Sequence, residues 1–364
     1  MHRREFFQSA GAALAISQAT PAAASARKAS PQNPMKVKPK VGTQHSVDDD
    51  VLTVISSFGV KNVLAMRIGN KMDEKWSVDG LKQFRERIEK HGVSLDLVQV
   101  PLPSAFIANH PMKEIMLAKS PERDRQIDDV CQMIRNCKQA GIPGVTYNMS
   151  ILGVVRSGRT PGRGGASYST FKFNELPDKD QLTEAGKVNA DAYWERISYF
   201  LDRVVPVANE EKIKMGCHPH DPGMPVPEGY RGIDTVLGTV DGLKKFIAIK
   251  ESPYHGLNFC QGTVSEMLQD PGREIHDVIR YFGSRKKIFN VHFRNIKGKR
   301  LDFQETFPDD GSVNMLQAIK TYYEVGYDGM LMPDHVPQIP GDKAGLQAFA
   351  FCFGYIQAAI QTLG

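Results

Sequence analysis

Four short segments of the chain carry imidazole, thiol and carboxylate side chains, the groups that bind metal ions and move protons. The four residues are, in chain order, His218 within MGCHPHDPG, then Cys260, His292 and Asp334. Nitrogen, sulfur and oxygen donors together suit a borderline divalent transition metal, and a thiolate disfavours magnesium and calcium. We therefore predict that the first three are metal ligands, and that Asp334 is a fourth ligand or a neighbour bridged by water.

Strands and helices alternate in the predicted secondary structure, and this alternation places the four residues. The predicted strands cover 62–66, 94–100, 144–148, 213–217, 246–250, 288–292 and 329–332, with a weak eighth strand near Val41. The predicted helices cover 77–91, 122–140, 190–208, 273–282, 314–325 and 345–363. Alternating strands and helices pair in parallel with right-handed crossovers. We predict an α/β fold of the (β/α)₈ TIM-barrel type, since no glycine-rich nucleotide motif supports an open sheet.

The candidate ligands follow the ends of successive predicted strands, and barrel active sites gather at the carboxyl ends of strands. Strand 213–217 leads into His218, and strand 246–250 leads through a loop with Glu251 and His255 to Cys260. Strand 288–292 ends in His292, and strand 329–332 is followed by Asp334. By strand alternation Cys217 should point away from the site into the packing. The role of His220 stays open between orienting the site, carrying protons and lying exposed.

Bulk composition excludes several partners. The 364 residues carry a net charge of +5, and Lys and Arg are spread along the chain. Because no basic stripe with interleaved aromatics occurs, we expect no nucleic-acid partner. After the first segment no apolar run reaches the ~20 residues that span a bilayer, so we expect no membrane partner once that segment is removed. The sequence leaves a homo-oligomer open.

The first 26 residues have the pattern of an export signal. Arg3 and Arg4 are followed by a short apolar stretch and by Ala24-Ser25-Ala26, which indicates a twin-arginine signal peptide. We predict a linker over 27–40 and a single barrel domain over 41–364, with a loop insertion at 151–187 on the catalytic face. The protein is then expected in the periplasm or otherwise exported.

Four motifs of the C-terminal half resemble, in order and spacing, those of the mannonate dehydratase family. They are HPHDP at 218–222, LNFCQG at 257–262, VHFRNIKG at 291–298 and EVGYDGMLMPDH at 324–335. In the N-terminal half the best match is AGIPGVTYN at 140–148. The resemblance implies a barrel, a divalent ion such as Mn²⁺, with Fe²⁺ as the alternative, and dehydration of an aldonic acid to a 2-keto-3-deoxy acid.

The resemblance also implies roles for individual residues. The family's metal-binding His, Cys and His fall on His218, Cys260 and His292, and its Asp-His pair, with metal and acid/base roles, falls on Asp334 and His335. Arg294 and Asn295 match residues near the bound sugar acid. Our predicted substrate-binding residues are Arg294, Asn295, Asn148 and Arg159.

Three departures from the family pattern concern the substrate end of the site. His220 stands where the family has Asp, and the segment after Asp334-His335 reads VPQIPGDKAGLQAFAF without the family's Tyr. The segment 156–171 is unusually rich in Arg and Gly. We therefore expect the metal ligands to match those of the family, and the residues around the substrate to differ from them.

Dehydration needs a base for the proton beside the carboxylate and an acid for the leaving hydroxyl. We hypothesise that His335 is the base and that Asp334, or a metal-bound water, is the acid-side partner. Arg294 and an arginine of 156–163 would clamp the carboxylate. The same metal and base would serve a sugar isomerase or epimerase, which is the alternative function. A binder of sugar acids with a closed structural metal site is the third.

Overall fold

Eight parallel strands close into a barrel in the computed structural model, which describes residues 37–227 and 229–363. The strands of these residues are β1 (Lys40–Thr43), β2 (Asn62–Ala65), β3 (Ser94–Gln99), β4 (Gly144–Asn148), β5 (Gly158–Pro161), β6 (Ser167–Lys172), β7 (Lys214–His218), β8 (His255–Cys260), β9 (Ile288–His292), β10 (Asn295–Lys299), β11 (Asp302–Thr306) and β12 (Met330–Met332). The barrel order is β1-β12-β9-β8-β7-β4-β3-β2, and every neighbouring pair is parallel. The predicted TIM barrel is confirmed.

Helices separate the barrel strands. They are α1 (Asp49–Ser57), α2 (Val78–Glu89), α3 (Lys113–Leu117), α4 (Glu122–Gln139), α5 (Ala190–Glu211), α6 (Val240–Ala248), α7 (Gln261–Ser265), α8 (Pro271–Ser284), α9 (Met315–Glu324) and α10 (Leu346–Gln361). The six predicted helices are confirmed, with ends that differ by at most three residues. Ser77 caps α2, because its side chain accepts a hydrogen bond from the backbone N–H of Gly80.

One predicted strand was wrong. The run 246–250 forms the end of α6 and the turn after it, and the barrel strand is β8. A short apolar run fits a strand and a buried helix turn equally well, and Phe246 and Ile247 join Leu243 on the buried face of α6. Strand β8 reads HGLNFC, whose Gly and Asn have low strand propensity, yet all six residues are buried.

A second, four-stranded antiparallel sheet was not predicted. Its order is β10-β11-β6-β5. Strands β10 and β11 form the hairpin that follows β9, and β11 pairs with β6, which in turn pairs with β5; β5 and β6 both belong to the segment 151–187. Phe171 of β6 stacks on Phe303 of β11, and both rings are buried. This sheet brings residues of two distant segments to the end of the barrel where β9 finishes.

The inward face of each barrel strand follows from close approaches inside the barrel. A Cβ on Gly144 would lie 2.6 Å from Cδ2 of Leu97, and a Cβ on Gly42 would lie 2.7 Å from Sδ of Met330. Leu97 and Met330 belong to a small apolar cluster with Leu64 and Met332, separate from the main core. Because side chains alternate along a strand, Gln44, Gln99 and Asn148 also face inward, at the carboxyl ends of their strands.

No helix among the described residues is long and apolar enough to cross a membrane. The predicted leader, 1–26, and most of the predicted linker, 27–40, lie outside the described residues. Their assignment stays a prediction.

Candidate metal and acid/base site

The four predicted ligands lie together at the carboxyl ends of the barrel strands. One donor atom from each of His218, Cys260, His292 and Asp334 can be chosen so that all lie within 4.8 Å of one another. His218 ends β7, Cys260 ends β8 and His292 ends β9, while Asp334 lies two residues beyond β12. These strands are consecutive in the barrel, so one half of the rim collects all four groups.

The two imidazoles present free nitrogens to the centre of this group. Nδ1 of His218 lies 2.7 Å from the carbonyl oxygen of Pro219, so this nitrogen carries the proton and Nε2 keeps its lone pair. Neither ring nitrogen of the buried His292 has a hydrogen-bond partner among the described residues. Its neighbours are themselves metal donors, since Nδ1 lies 3.4 Å from Oδ1 of Asp334, so a shared cation would satisfy nitrogens that make no well-formed hydrogen bond.

Cys260 is held as a thiolate. Burial raises the pKa of this thiol, but the Arg294 guanidinium, 3.6 Å from Sγ, together with His218 and His292 brings the pKa well below its usual range. The backbone N–H and the hydroxyl of Thr263 both donate to Sγ, at 3.3 and 3.1 Å. The thiolate is the form that binds metals.

Asp334 is fixed by contacts on both oxygens. Oδ1 accepts a hydrogen bond from the side-chain amide of Gln44 at 2.8 Å and lies 3.4 Å from Nδ1 of His292. Oδ2 lies 3.2 Å from Nε2 of His335. Burial raises the pKa of Asp334, but His335 and His292 lower it well below its usual value, so the group is a carboxylate.

Arg294 lies beneath these groups in a fully buried ion-pair network. Its guanidinium lies 3.2 Å from Oδ2 of Asp221, 3.1 Å from Oε1 of Glu266 and 2.5 Å from Oε1 of Glu305. Arg156 contacts the same three carboxyl groups, including Asp221 Oδ1 at 2.6 Å. Buried charges require partners of this kind, so both arginines are committed to the network.

The network balances its own charge. Burial raises the pKa of Asp221, but Arg156 and Arg294 outweigh it and lower the pKa to about 2. Burial also raises the pKa of Glu305, but Arg294 and His335 bring it below its usual value. Burial, followed by the charge of Asp221, raises the pKa of Glu266 well above its usual value, so Glu266 is protonated. Two guanidinium groups thus face two carboxylates.

His335 links the network to the candidate metal ligands. Its Nδ1 lies 2.7 Å from Oε2 of Glu305, and its side chain is 42% exposed, in contrast to its buried neighbours. Burial lowers the pKa of His335, but Asp334 and Glu305 raise it well above its usual value. Asp221, Glu305 and His335 also lie close enough to share a cation, but the two arginines already occupy the space beside the acids.

Of the predicted substrate-binding residues, Asn295 and Arg159 lie away from the candidate metal ligands, and Arg294 is occupied by ion pairs. Asn295 donates to the carbonyls of Pro308 and Val313 and accepts from two backbone N–H groups, so its amide is used within the β10–β11 region. Arg159 lies exposed on β5 and donates to Ser167. Arg294 is in the site, but its ion pairs leave it no free face for a carboxylate. Asn148 is paired in register with His218 and stays a candidate.

Neighbouring residues resolve as follows. Cys217 is buried in the main core, as predicted. His220 has a structural role, since Nε2 donates to the carbonyl of Met149 and Nδ1 accepts from the N–H of Leu237. The loop placement of His255 was wrong, because it begins β8 at the opposite end of the barrel. Glu251 lies near that end, paired with Lys287.

Sequence reasoning missed five residues of the site: Gln44, Arg156, Asp221, Glu266 and Glu305. Asp221 was visible within HPHDP, next to the predicted ligand. Glu305 and Arg156 come from the unpredicted sheet and the segment before it, so no strand-end rule could find them. The available signal was that Glu266, Glu305 and Arg156 have no oppositely charged partner close by in the sequence.

The comparison with family models decides the family. The model described as D-mannonate dehydratase (UxuA) matches residues 40–185 and 169–357. The chain belongs to this family. The resemblance inferred from the four motifs is therefore confirmed, and it extends through the N-terminal half of the barrel.

Individual proteins resemble the chain in sequence or in fold. Mannonate dehydratase 2 of Halalkalibacterium halodurans is 28% identical over 314 residues, which cover 78% of this chain and 86% of that protein. The crystal structure of mannonate dehydratase from Streptococcus suis serotype 2 has a TM-score of 0.73 at 22% identity, covering 90% of this chain and 94% of the other. A xylose isomerase domain protein from Planctomyces limnophilus shares the fold with a TM-score of 0.57 at 13% identity, covering 90% and 99%.

Proposed function

We propose that the protein is a metal-dependent hydro-lyase that dehydrates a sugar acid, mannonate or a related aldonate, to a 2-keto-3-deoxy acid. The observation that carries the proposal is the convergence of His218, Cys260, His292 and Asp334 in a chain of the mannonate dehydratase family. Neighbouring ionisable residues complete an acid/base site around them.

These four residues would hold one divalent cation, for which we propose Mn²⁺ with Fe²⁺ as the alternative. The donor set fits a borderline transition metal, and the ring nitrogens of His292, which make no well-formed hydrogen bond among the described residues, are available to bind it. When bound, the ion supplies Lewis-acid stabilisation of the negative charge that develops on the substrate oxygens.

Proton transfer falls to the exposed imidazole beside this centre. With the charge of Asp334 committed to a bound cation, the main contact that raises the pKa of His335 would be weakened, so the ring would be neutral and would take the proton from the carbon next to the carboxylate at Nε2, while Nδ1–H donates to Glu305, which fixes the ring. Asp334 is the acid-side partner: its Oδ2 lies 3.2 Å from Nε2 of His335, so it would relay the proton from the His335 imidazolium to the leaving hydroxyl, which departs as water as the C–O bond breaks. The resulting enol becomes the 2-keto-3-deoxy acid. Each proton transfer contributes about 10²–10⁴ in rate.

The test is product analysis with Mn²⁺-reconstituted protein and a panel of hexonates and uronates. A dehydratase produces a keto acid lighter than its substrate by one water, and a chelator-treated sample gives none. A product of unchanged mass would instead support the isomerase or epimerase alternative. Binding without any conversion would support the non-catalytic sugar-acid binder.

We also propose export through a twin-arginine signal, supported by Arg3, Arg4 and the Ala24-Ser25-Ala26 end of the leader. Expression of the full chain in a bacterial host should yield a shortened protein in the periplasm. Replacing both arginines by lysine should retain the protein in the cytoplasm. Equal distribution of the two forms would contradict export by this route.

A further inference from the structure

The segment that carries His335 has few main-chain anchors. It runs from the end of β12 at Met332 to the start of α10 at Leu346. From 333 to 338, two backbone–backbone hydrogen bonds are formed among the described residues, and both join Gln338 to Ser167 at the start of β6. The main chain beside the proposed base is therefore held by this one contact.

The contact is a short antiparallel bridge. The N–H of Ser167 donates to the carbonyl oxygen of Gln338 at 2.8 Å, and the N–H of Gln338 donates to the carbonyl oxygen of Ser167 at 3.1 Å. Val336 and Ile339, on either side of Gln338, pack against a buried cluster that contains Tyr168 of β6. The segment is thus fastened to the second sheet by its main chain and by its side chains.

The same sheet also holds the imidazole ring. Glu305 of β11 lies 2.7 Å from Nδ1 of His335, and β11 is the strand that pairs with β6. The stack of Phe171 on Phe303 joins these two strands through buried rings. One sheet therefore sets both the position of the main chain and the direction of the ring.

The neighbouring candidate metal ligand is held by other parts of the molecule. Oδ1 of Asp334 accepts a hydrogen bond from Gln44 at 2.8 Å and lies 3.4 Å from Nδ1 of His292. Gln44 follows β1 and His292 ends β9, so both partners belong to the barrel. Loosening the bridge at Gln338 should therefore displace the base and leave the cation site in place.

We propose that Gln338 is a positioning residue, whose main-chain bridge to Ser167 places His335 for proton transfer from the substrate. The insertion 151–187, which supplies β6, then acts as a fixed support for the base. This inference rests on the proposed function. A base must lie within hydrogen-bond reach of the proton that it takes, and a displacement of about 1 Å can cost about 10²-fold in rate.

The test compares two proline variants with matched alanine variants in the Mn²⁺-reconstituted full chain. Gln338→Pro and Ser167→Pro each remove one N–H of the bridge, and Ser167 is the first residue of β6, a position that accepts proline. Each should lower kcat for the hexonate about 10–100-fold, with KM within about threefold and metal content unchanged. Gln338→Ala and Ser167→Ala keep both N–H groups and should keep kcat within about threefold of wild type.

Hydrogen exchange, followed by mass spectrometry, gives a readout that does not depend on turnover. The peptide that covers 333–341 should exchange at least about tenfold faster in the proline variants than in the alanine variants. Peptides from β7, β8 and β9 should exchange as in wild-type protein.

Wild-type kcat in both proline variants would overturn the proposal, as would equal losses in the proline and alanine variants. Loss of the metal together with kcat would also overturn it, because the segment would then hold the cation site and not the base. If one proline variant does not fold, the other decides. Wild-type protein that forms no keto acid contradicts the proposed function; unchanged exchange over 333–341 would then overturn the anchor as well, and faster exchange confined to this peptide would support it.

Discussion

The two halves of the barrel rim differ in kind. Strands β7, β8, β9 and β12 end in His218, Cys260, His292 and, two residues on, Asp334, all of which ionise or bind metals. Strands β1 to β4 end in inward-facing amides and a methionine. The first of these halves therefore carries the groups that can transfer protons or bind a cation. The comparison teaches that these groups are concentrated on four consecutive strands, whereas β1 to β4 present neutral side chains.

The division also explains where the family likeness was visible. Metal and acid/base chemistry tolerates few residue types, so the second half carries motifs that a reader can recognise. Recognition of hydroxyl groups can be met by many neutral side chains, so the first half carries weak motifs.

The largest effect is expected at His335, which belongs to the reactive half. His335→Ala should lower kcat by about 10³ or more, because the proton acceptor is lost. Metal content should stay at the wild-type level, as measured by elemental analysis. Loss of the metal together with activity would show that His335 is itself a metal ligand and would change its assigned role.

Arg156 and Arg159 are three residues apart, but Arg156 belongs to the buried ion-pair network and Arg159 is exposed. Arg156→Ala should lower the free energy of unfolding by about 3–5 kcal/mol, since it strips buried carboxylates of their partner. Arg159→Ala, at an exposed position, should change it by less than about 0.5 kcal/mol. Denaturant melts would measure both. Similar values for the two variants would remove the distinction between them.

Glu305 tests whether the second sheet contributes to the reactive half. Glu305→Gln should lower kcat about 10–100-fold, because the ring of His335 loses the carboxylate that orients it. Asp302→Asn, at an exposed position on the same strand, is the matched control and should leave kcat unchanged. Equal kcat values in the two variants would show that Glu305, and with it the second sheet, does not contribute to catalysis.

The smallest effect concerns the other end of β8, away from both halves of the rim. Burial lowers the pKa of His255 to about 4, with its hydrogen bond to the carbonyl of Phe246 opposing the shift. The unfolded chain therefore binds a proton first, and stability falls as the pH drops from about 6.5 towards 4. Between pH 7 and pH 5 this one group should cost about 1–2 kcal/mol.

Thermal melts across this pH range should show a shallower loss of stability in His255→Asn than in wild-type protein. The surface histidine variant His91→Asn should follow the wild-type curve. Parallel curves for His255→Asn and wild type would show that His255 is not the group that titrates.

Much of the fold and of the reactive half could be predicted from the sequence. Periodicity located six helices, and the strand-end rule brought His218, Cys260, His292 and Asp334 together although 116 residues separate the first from the last. The strand at 246–250 failed because its apolar run also suits a helix. Arg159 and Asn295 form hydrogen bonds within the second sheet and the loops beside it, and residue type alone does not reveal such contacts.

Partners from distant segments lay beyond the sequence. Glu305 reaches His335 through a hairpin whose pairing with β6 depends on the closed barrel, and Gln44 meets Asp334 across 290 positions. No local pattern encodes such contacts.

The most direct test of the central claim is the metal content of wild-type protein and single variants after reconstitution with Mn²⁺ and dialysis. We expect about one ion per chain, with a sulfur neighbour in X-ray absorption, in wild-type protein and in Cys217→Ala, whose thiol points into the core. Cys260→Ala and His292→Ala should each lose most of the ion. Full metal content in both of these variants would contradict the shared site.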